Sequence, residues 1–147
     1  MNQAKNEALL KHLREIRQFR ETRAGSYLGR ARNLARQAEA NTREKAELRL
    51  KHGAEAATIE KEILATMAGK TITMSSLHYL EAFQQRTAAI GGDHRKAEAA
   101  AQSSLDQANK KLNDEQGRFR RVQASKMKLE ELINQLSKSA DIDGWSA

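Results

Sequence analysis

The sequence predicts an all-α protein, a single antiparallel two-helix coiled-coil hairpin, on three observations. The 147 residues contain no proline, where average usage of about 5% would supply about seven. Proline breaks helix interiors, so long helices need its absence. Apolar residues recur in steps of three and four through both halves of the chain, the period of a helix seam. The stretch that departs from this period, "ATMAGKTITMSS" at Ala65–Ser76, lies at the middle of the sequence. Aromatic residues make up only 4% and charged residues 31%, a composition that fills a narrow seam between helices rather than a wide core.

The hairpin is expected over residues 1–138, with arm one at about 4–68, a turn at about 69–75, arm two at about 76–137 and a flexible tail at 139–147. Arm one is rich in Ala, Leu, Glu, Arg and Lys, all good helix formers, with Gly25, Gly29 and Gly53 as its only breakers. Its seam reads Leu9, Leu13, Ile16, Arg20, Arg23, Tyr27, Arg30, Leu34, Ala38, Asn41, Lys45, Leu48, His52, Glu55, Ile59 and Ile63. Phe19 and Leu28 fall beside that seam, as does Tyr79 in arm two, and flanking apolar residues of this kind point to an interaction protein.

In the middle, Gly69-Lys70-Thr71 has the ending of a phosphate-binding loop. Such a loop needs a glycine where Leu64 stands and a buried strand leading into it, and the residues before it have helical period instead. Gly69 reads as a helix terminator, with Ser75 or Ser76 as the cap of the next helix. The seam of arm two follows as Phe83, Thr87, Ile90, His94, Ala97, Ala101, Leu105, Ala108, Leu112, Glu115, Phe119, Val122, Lys126, Leu129, Ile133 and Leu136, with one stutter around Ala101. Gly91-Gly92 is its weak point. Acids four residues ahead of bases, such as Glu7–Lys11, Glu39–Arg43 and Asp114–Arg118, support exposed helix faces.

Folding about Thr73 makes facing residue numbers sum to about 146 and leaves a connection of usual length. Leu9 then faces Leu136, Leu13 faces Ile133, Tyr27 faces Phe119, Leu34 faces Leu112, Ile63 faces Phe83 and Arg30 faces Glu115. Arg20 faces Lys126, a like-charged pair that must snorkel outward or mark an opening for a partner.

The same residues exclude several functions. There is no cysteine, hence no disulfide and no thiolate metal site. The start "MNQAKNEALLKHLREIRQFR" lacks the long apolar run of a signal peptide or a membrane span, so a soluble, cytoplasmic chain without a cleaved leader is expected. His52 and His94 face each other with Glu55 nearby, short of a closed four-ligand zinc site. No nucleophile–base–orienter set is recognisable, and a two-helix hairpin encloses no pocket. No catalytic residue, cofactor or metal is expected.

Net charge is +7, with 14 Lys and Arg against 9 Asp and Glu in Met1–Ala68 and 12 against 10 in Gly69–Ala147. The excess is densest in arm one, at Lys11, Arg14, Arg17, Arg20, Arg23, Arg30, Arg32 and Arg36. A basic helix of this kind suits nucleic acid, an anionic membrane or an acidic protein. The scarcity of aromatics for base stacking argues against sequence-specific single-strand binding. Two alternatives stay open: a hairpin that binds nucleic acid or the ribosome, and a structural coiled coil that dimerises. Trp145 is an anchor for a partner or an aromatic packed on the hairpin base.

The basic opening "LLKHLREIRQFRETRA", the midpoint turn and the second-arm opening "SSLHYLEAFQQRTAAI" together resemble the FliJ/YscO family of type III secretion systems. The likeness covers most of the chain and rests on layout and short motifs. It implies a non-enzymatic two-helix stalk in the cytoplasm, peripheral to the membrane-embedded export apparatus. The stalk would stand in the central hole of the hexameric secretion ATPase and touch the cytoplasmic ring of the export gate. In some members it also touches export chaperones. No stable nucleic-acid binding and no membrane insertion are implied. The base of the hairpin, near both termini, would then enter the ATPase ring, and its candidate contacts, chosen for their charge, are Arg14, Arg17, Arg20 and Arg23, with Phe19 for packing. The resemblance places the gate contact at Phe83, matching a family phenylalanine early in the second helix, and at Thr87, Ile90 and His94 over the next three turns. Phe83 and His94 match in residue type. The family's aromatic partners on the first helix are replaced here by small residues around Gly53 and Ala56.

Overall fold

The computed structural model describes residues 2–145, with side-chain surroundings from Gln3 to Ser139. It contains two helices, α1 (Asn2–Met67) and α2 (Met74–Trp145), and no strand among the described residues. The chain is an all-α helical hairpin whose arms run antiparallel. None of its described helices is long and apolar enough to cross a membrane.

The reversal is built by local chemistry. Gly69 takes φ +75°, a left-handed conformation that costs any side-chain-bearing residue about 1–2 kcal/mol and glycine almost nothing. It ends α1, with the Lys70 N–H bonding back to the Met67 carbonyl at 3.3 Å. Thr73 then caps α2. Its Oγ1 accepts the Ser76 N–H at 3.1 Å, and its carbonyl accepts the first helical bond, from Leu77 N–H at 3.1 Å. The cap is therefore Thr73 rather than Ser75 or Ser76, because the side chain three residues before a free N–H is the one that reaches it. Gly69-Lys70-Thr71 is a helix exit, entered from a helix and not from a strand.

At the other end, α2 continues past Ser137 to Trp145, where the sequence reading ends the helix and begins a flexible tail at 139. Nothing from Lys138 to Asp143 is proline or glycine, so no residue there forces the helix to stop. The side chain of Trp145, and with it the role expected for that residue, lies outside the described residues.

The helices pair within two compact units. One takes the chain up to Leu34 and from Asn109 onward; the other takes Ala35–Ala108. In the first, Arg14 reaches Glu130 through two bonds of 3.1 and 3.2 Å. In the second, Thr42 Oγ1 reaches the Ala101 carbonyl at 3.3 Å, Arg49 pairs with Glu98 and Gln84 donates to Glu60 at 2.8 Å. The partners' numbers sum to values close to the expected 146, and His52 and His94 do face each other, ring centroids 5.0 Å apart. On α2 the expected seam holds: of its residues only Ile90 and Leu136 are exposed.

On α1 the expected seam is one residue early from Arg20 to Leu34, and again at Leu9, Asn41, Leu48, Glu55 and Ile59, where Leu10, Thr42, Arg49, Ala56 and Glu60 are the half-buried residues instead. From Glu21 to Ala35 the covered positions are Glu21, Ala24, Leu28, Ala31 and Ala35, whereas Arg20, Arg23, Arg30 and Leu34 are exposed and Tyr27 is half-buried beside Leu28. Leu28, expected beside the seam, is 5% exposed, whereas Leu34 is 52% exposed. The correction also removes the Arg20–Lys126 conflict. Glu21 occupies the inward position, and Lys126 Nζ lies 2.9 Å from its carboxylate. The physical reason is size. Alanines admit the close approach of a second helix, and four of the five buried residues found among the described ones are alanine.

Candidate interaction surface

The first unit carries the whole net charge. Residues 1–34 with 109–147 hold 16 Lys and Arg against 9 Asp and Glu, while 35–108 hold 10 against 10. Within the first unit the excess is narrower still. Residues 17–34 of α1 lie beside 109–128 of α2, as the Lys126 Nζ bond to Gln18 Oε1 (2.9 Å) and the approach of Phe119 to Gly25 show. Together these two segments hold 12 Lys and Arg against 3 Asp and Glu. Composition along α1 alone reveals only five of these cations. The other seven, Lys110, Lys111, Arg118, Arg120, Arg121, Lys126 and Lys128, come from α2 and join them only on folding. The signal was present in the sequence, in the basic run around "GRFRR", but it needed the pairing to be read.

Little neutralises the belt from within. Glu21 is taken by Lys126. Glu115 has Arg118 no nearer than 4.0 Å, and its Oε2 is buried without a hydrogen-bond partner. Arg23 and Arg30 are held by an aromatic instead. The Arg23 Nε donates to the Tyr27 hydroxyl at 3.0 Å, and both guanidinium groups lie over the Tyr27 ring, 5.5 and 5.9 Å from its centroid. That fixes two long side chains in place while leaving their charge to solvent.

Of the residues expected at an ATPase, Arg20 and Arg23 are exposed, Phe19 is 66% exposed, Arg17 is half-buried and Arg14 is engaged with Glu130. The residues expected at an export gate fall in the second unit. Phe83, Thr87 and His94 are half-buried in the seam, His94 against His52; Ile90 is the exposed member. Glu55 is exposed, and the described residues offer no group of three or more His, Cys, Asp or Glu placed to hold a metal. The second unit also displays apolar side chains that the sequence reading did not single out. At its turn end Leu64, Ile72, Met74 and Leu77 are exposed together with Tyr79.

Comparison with protein-family models, with curated proteins and with solved structures finds no match to this chain.

Proposed function

We propose that this chain is a non-enzymatic coiled-coil stalk of a type III secretion system, coupling a hexameric secretion ATPase to the export gate. The observation that carries the reading is the division of charge: a belt with 12 cations and 3 acids in one unit, and a second unit with no net charge. Two units of such different chemistry suit two different partners. The basic unit would meet acidic loops inside the ATPase ring, where complementary charge steers docking. Arg20, Arg23, Phe19 and Arg14 are the exposed contacts, Arg14 already paired with Glu130, and Arg17 is half-buried. The neutral unit would meet the gate's cytoplasmic ring through Ile90 and the outer edges of Phe83, Thr87 and His94, and export chaperones are further candidate partners. The site is cytoplasmic, peripheral to the membrane apparatus.

A pull-down with purified hexameric secretion ATPase from the same organism, with ATP turnover measured with and without this chain, tests the reading. Binding and altered turnover are expected; absence of both ends it. The belt also favours a second reading, a nucleic-acid- or ribosome-binding hairpin. That reading predicts duplex binding that weakens steeply with salt, and a mobility shift absent at low salt removes it. Dimerisation as a plain structural coiled coil would show as concentration-dependent mass in ultracentrifugation.

A further inference from the structure

The belt is one-sided. Beside each covered seam position stands a residue that precedes it and one that follows it. In an antiparallel pair, positions preceding the seam fall on the same side of the pair on either helix, and positions following it fall on the other side. The preceding row of α1 reads Arg20, Arg23, Tyr27, Arg30 and Leu34. That of α2 holds Lys111, Arg118, Arg121 and Lys128, with Asp114 the one acid in either. The following rows carry far less over the same length: Arg32, Arg36, Arg120 and Glu130 are their only charges, among Gln, Thr, Gly, Asn and Met, a net of +2 against +6 on the preceding side. The polar bonds between helices in this unit use the following side, at Gln18 and Glu130. Of the seven cations on the preceding side, only Arg118 has a carboxylate within 4.0 Å among the described residues.

We infer that this face docks an acidic amphipathic helix of a partner protein, laid along the groove between α1 and α2. Five of the seven cations are arginine, whose planar fork takes a carboxylate through two bonds. Tyr27 holds Arg23 and Arg30 in place before any partner arrives. The same row contains Leu34 and continues beyond the belt as Leu9 and Leu132, all exposed. A phosphate backbone has nothing to offer those leucines. A helix with acidic and apolar positions in one stripe answers both kinds of residue, as in other helix-in-groove complexes. A second copy of this chain is disfavoured, because it would bring an equally basic unit to the groove. This rests on the preceding reading only in assigning Arg20 and Arg23 to a partner; the assay below contains no ATPase, so either can fail alone.

The test is fluorescence anisotropy of a labelled synthetic helix with leucine at its heptad a and d positions and glutamate on the flanking face, titrated with the full chain. A glutamine-for-glutamate peptide is the comparison. Two variants remove equal charge from opposite sides: Arg20→Gln/Arg23→Gln/Arg30→Gln, and Lys11→Gln/Arg32→Gln/Arg120→Gln. Circular dichroism checks that both stay helical. The glutamate peptide is expected to bind, to weaken with salt, and to lose about tenfold or more in affinity with the first variant but little with the second. Equal losses in the two variants overturn the inference, as does equal binding of the glutamine peptide. So does displacement of the peptide by phosphatidylglycerol vesicles or duplex DNA at lower concentration, which would assign the face to lipid or nucleic acid.

Discussion

Leu28 and Leu34 carry the same side chain less than two turns apart on α1, yet one is buried and the other half in water. Truncating a buried leucine removes its transfer energy and leaves a cavity, whereas truncating an exposed one changes little. Leu28→Ala is expected to cost about 2–3 kcal/mol, toward the low end for core truncations because a two-helix seam can partly collapse. Leu34→Ala should cost less than about 0.5 kcal/mol. Urea unfolding of the two variants decides between the structural seam and the periodic one; a larger loss at Leu34 would restore the periodic one. The difference was hard to read from sequence because the heptad can be threaded through either row. Matching large residues to large ones selects Tyr27 and Leu34, and it forces Arg20, Arg23 and Arg30 inward with them. The row actually covered is mostly alanine, which gives no size signal. The like-charged pairing of Arg20 with Lys126 was the visible sign that the choice was off by one.

At the scale of the elements, most was legible because helix period, the missing prolines and one glycine in a break all agree. Gly69 was identifiable from its place between two periodic segments. Its φ of +75° makes Gly69→Ala a strained change, expected to lower stability by about 1 kcal/mol or more. The helix-interior glycines behave in the opposite way. A methyl group on Gly29 or Gly53 meets nothing within 4 Å, so Gly29→Ala and Gly53→Ala should each raise stability by about 0.5–1 kcal/mol through helix propensity. Thermal melts of the three variants are the check, and a loss on filling Gly29 or Gly53 would mean that the backbone bends there. The cap was less legible: threonine and two serines stand close together, and only geometry shows that Thr73 Oγ1 is the one bonded to a free N–H. The helical stretch beyond Ser137 was not legible because Ile142 and Trp145 stand isolated among small and charged residues and set no seam periodicity, which argues for looseness without forbidding a helix.

At the scale of the whole molecule, charge counted arm by arm conceals how the fold sorts it. The arms read +5 and +2, while the units the fold creates carry +7 and zero. Cations on two adjacent helices with few acids between them repel, so the basic unit is stabilised by anything that screens them. Raising salt from about 0.01 M to about 1 M shortens the screening length from about 30 Å to about 3 Å. Native-state hydrogen exchange, read segment by segment, should therefore show amides of residues 17–34 and 109–128 becoming better protected as salt rises. Amides of 35–108 should hold level or lose slightly, since that unit is balanced and salt weakens pairs such as Arg43–Glu39 and Arg49–Glu98. Equal responses in the two units would mean that the belt's cations are too dispersed to act on one another. A field too weak to be felt within the hairpin would also be too weak to draw an acidic partner to it, and both the ATPase contact and the groove-bound helix would lose their electrostatic basis.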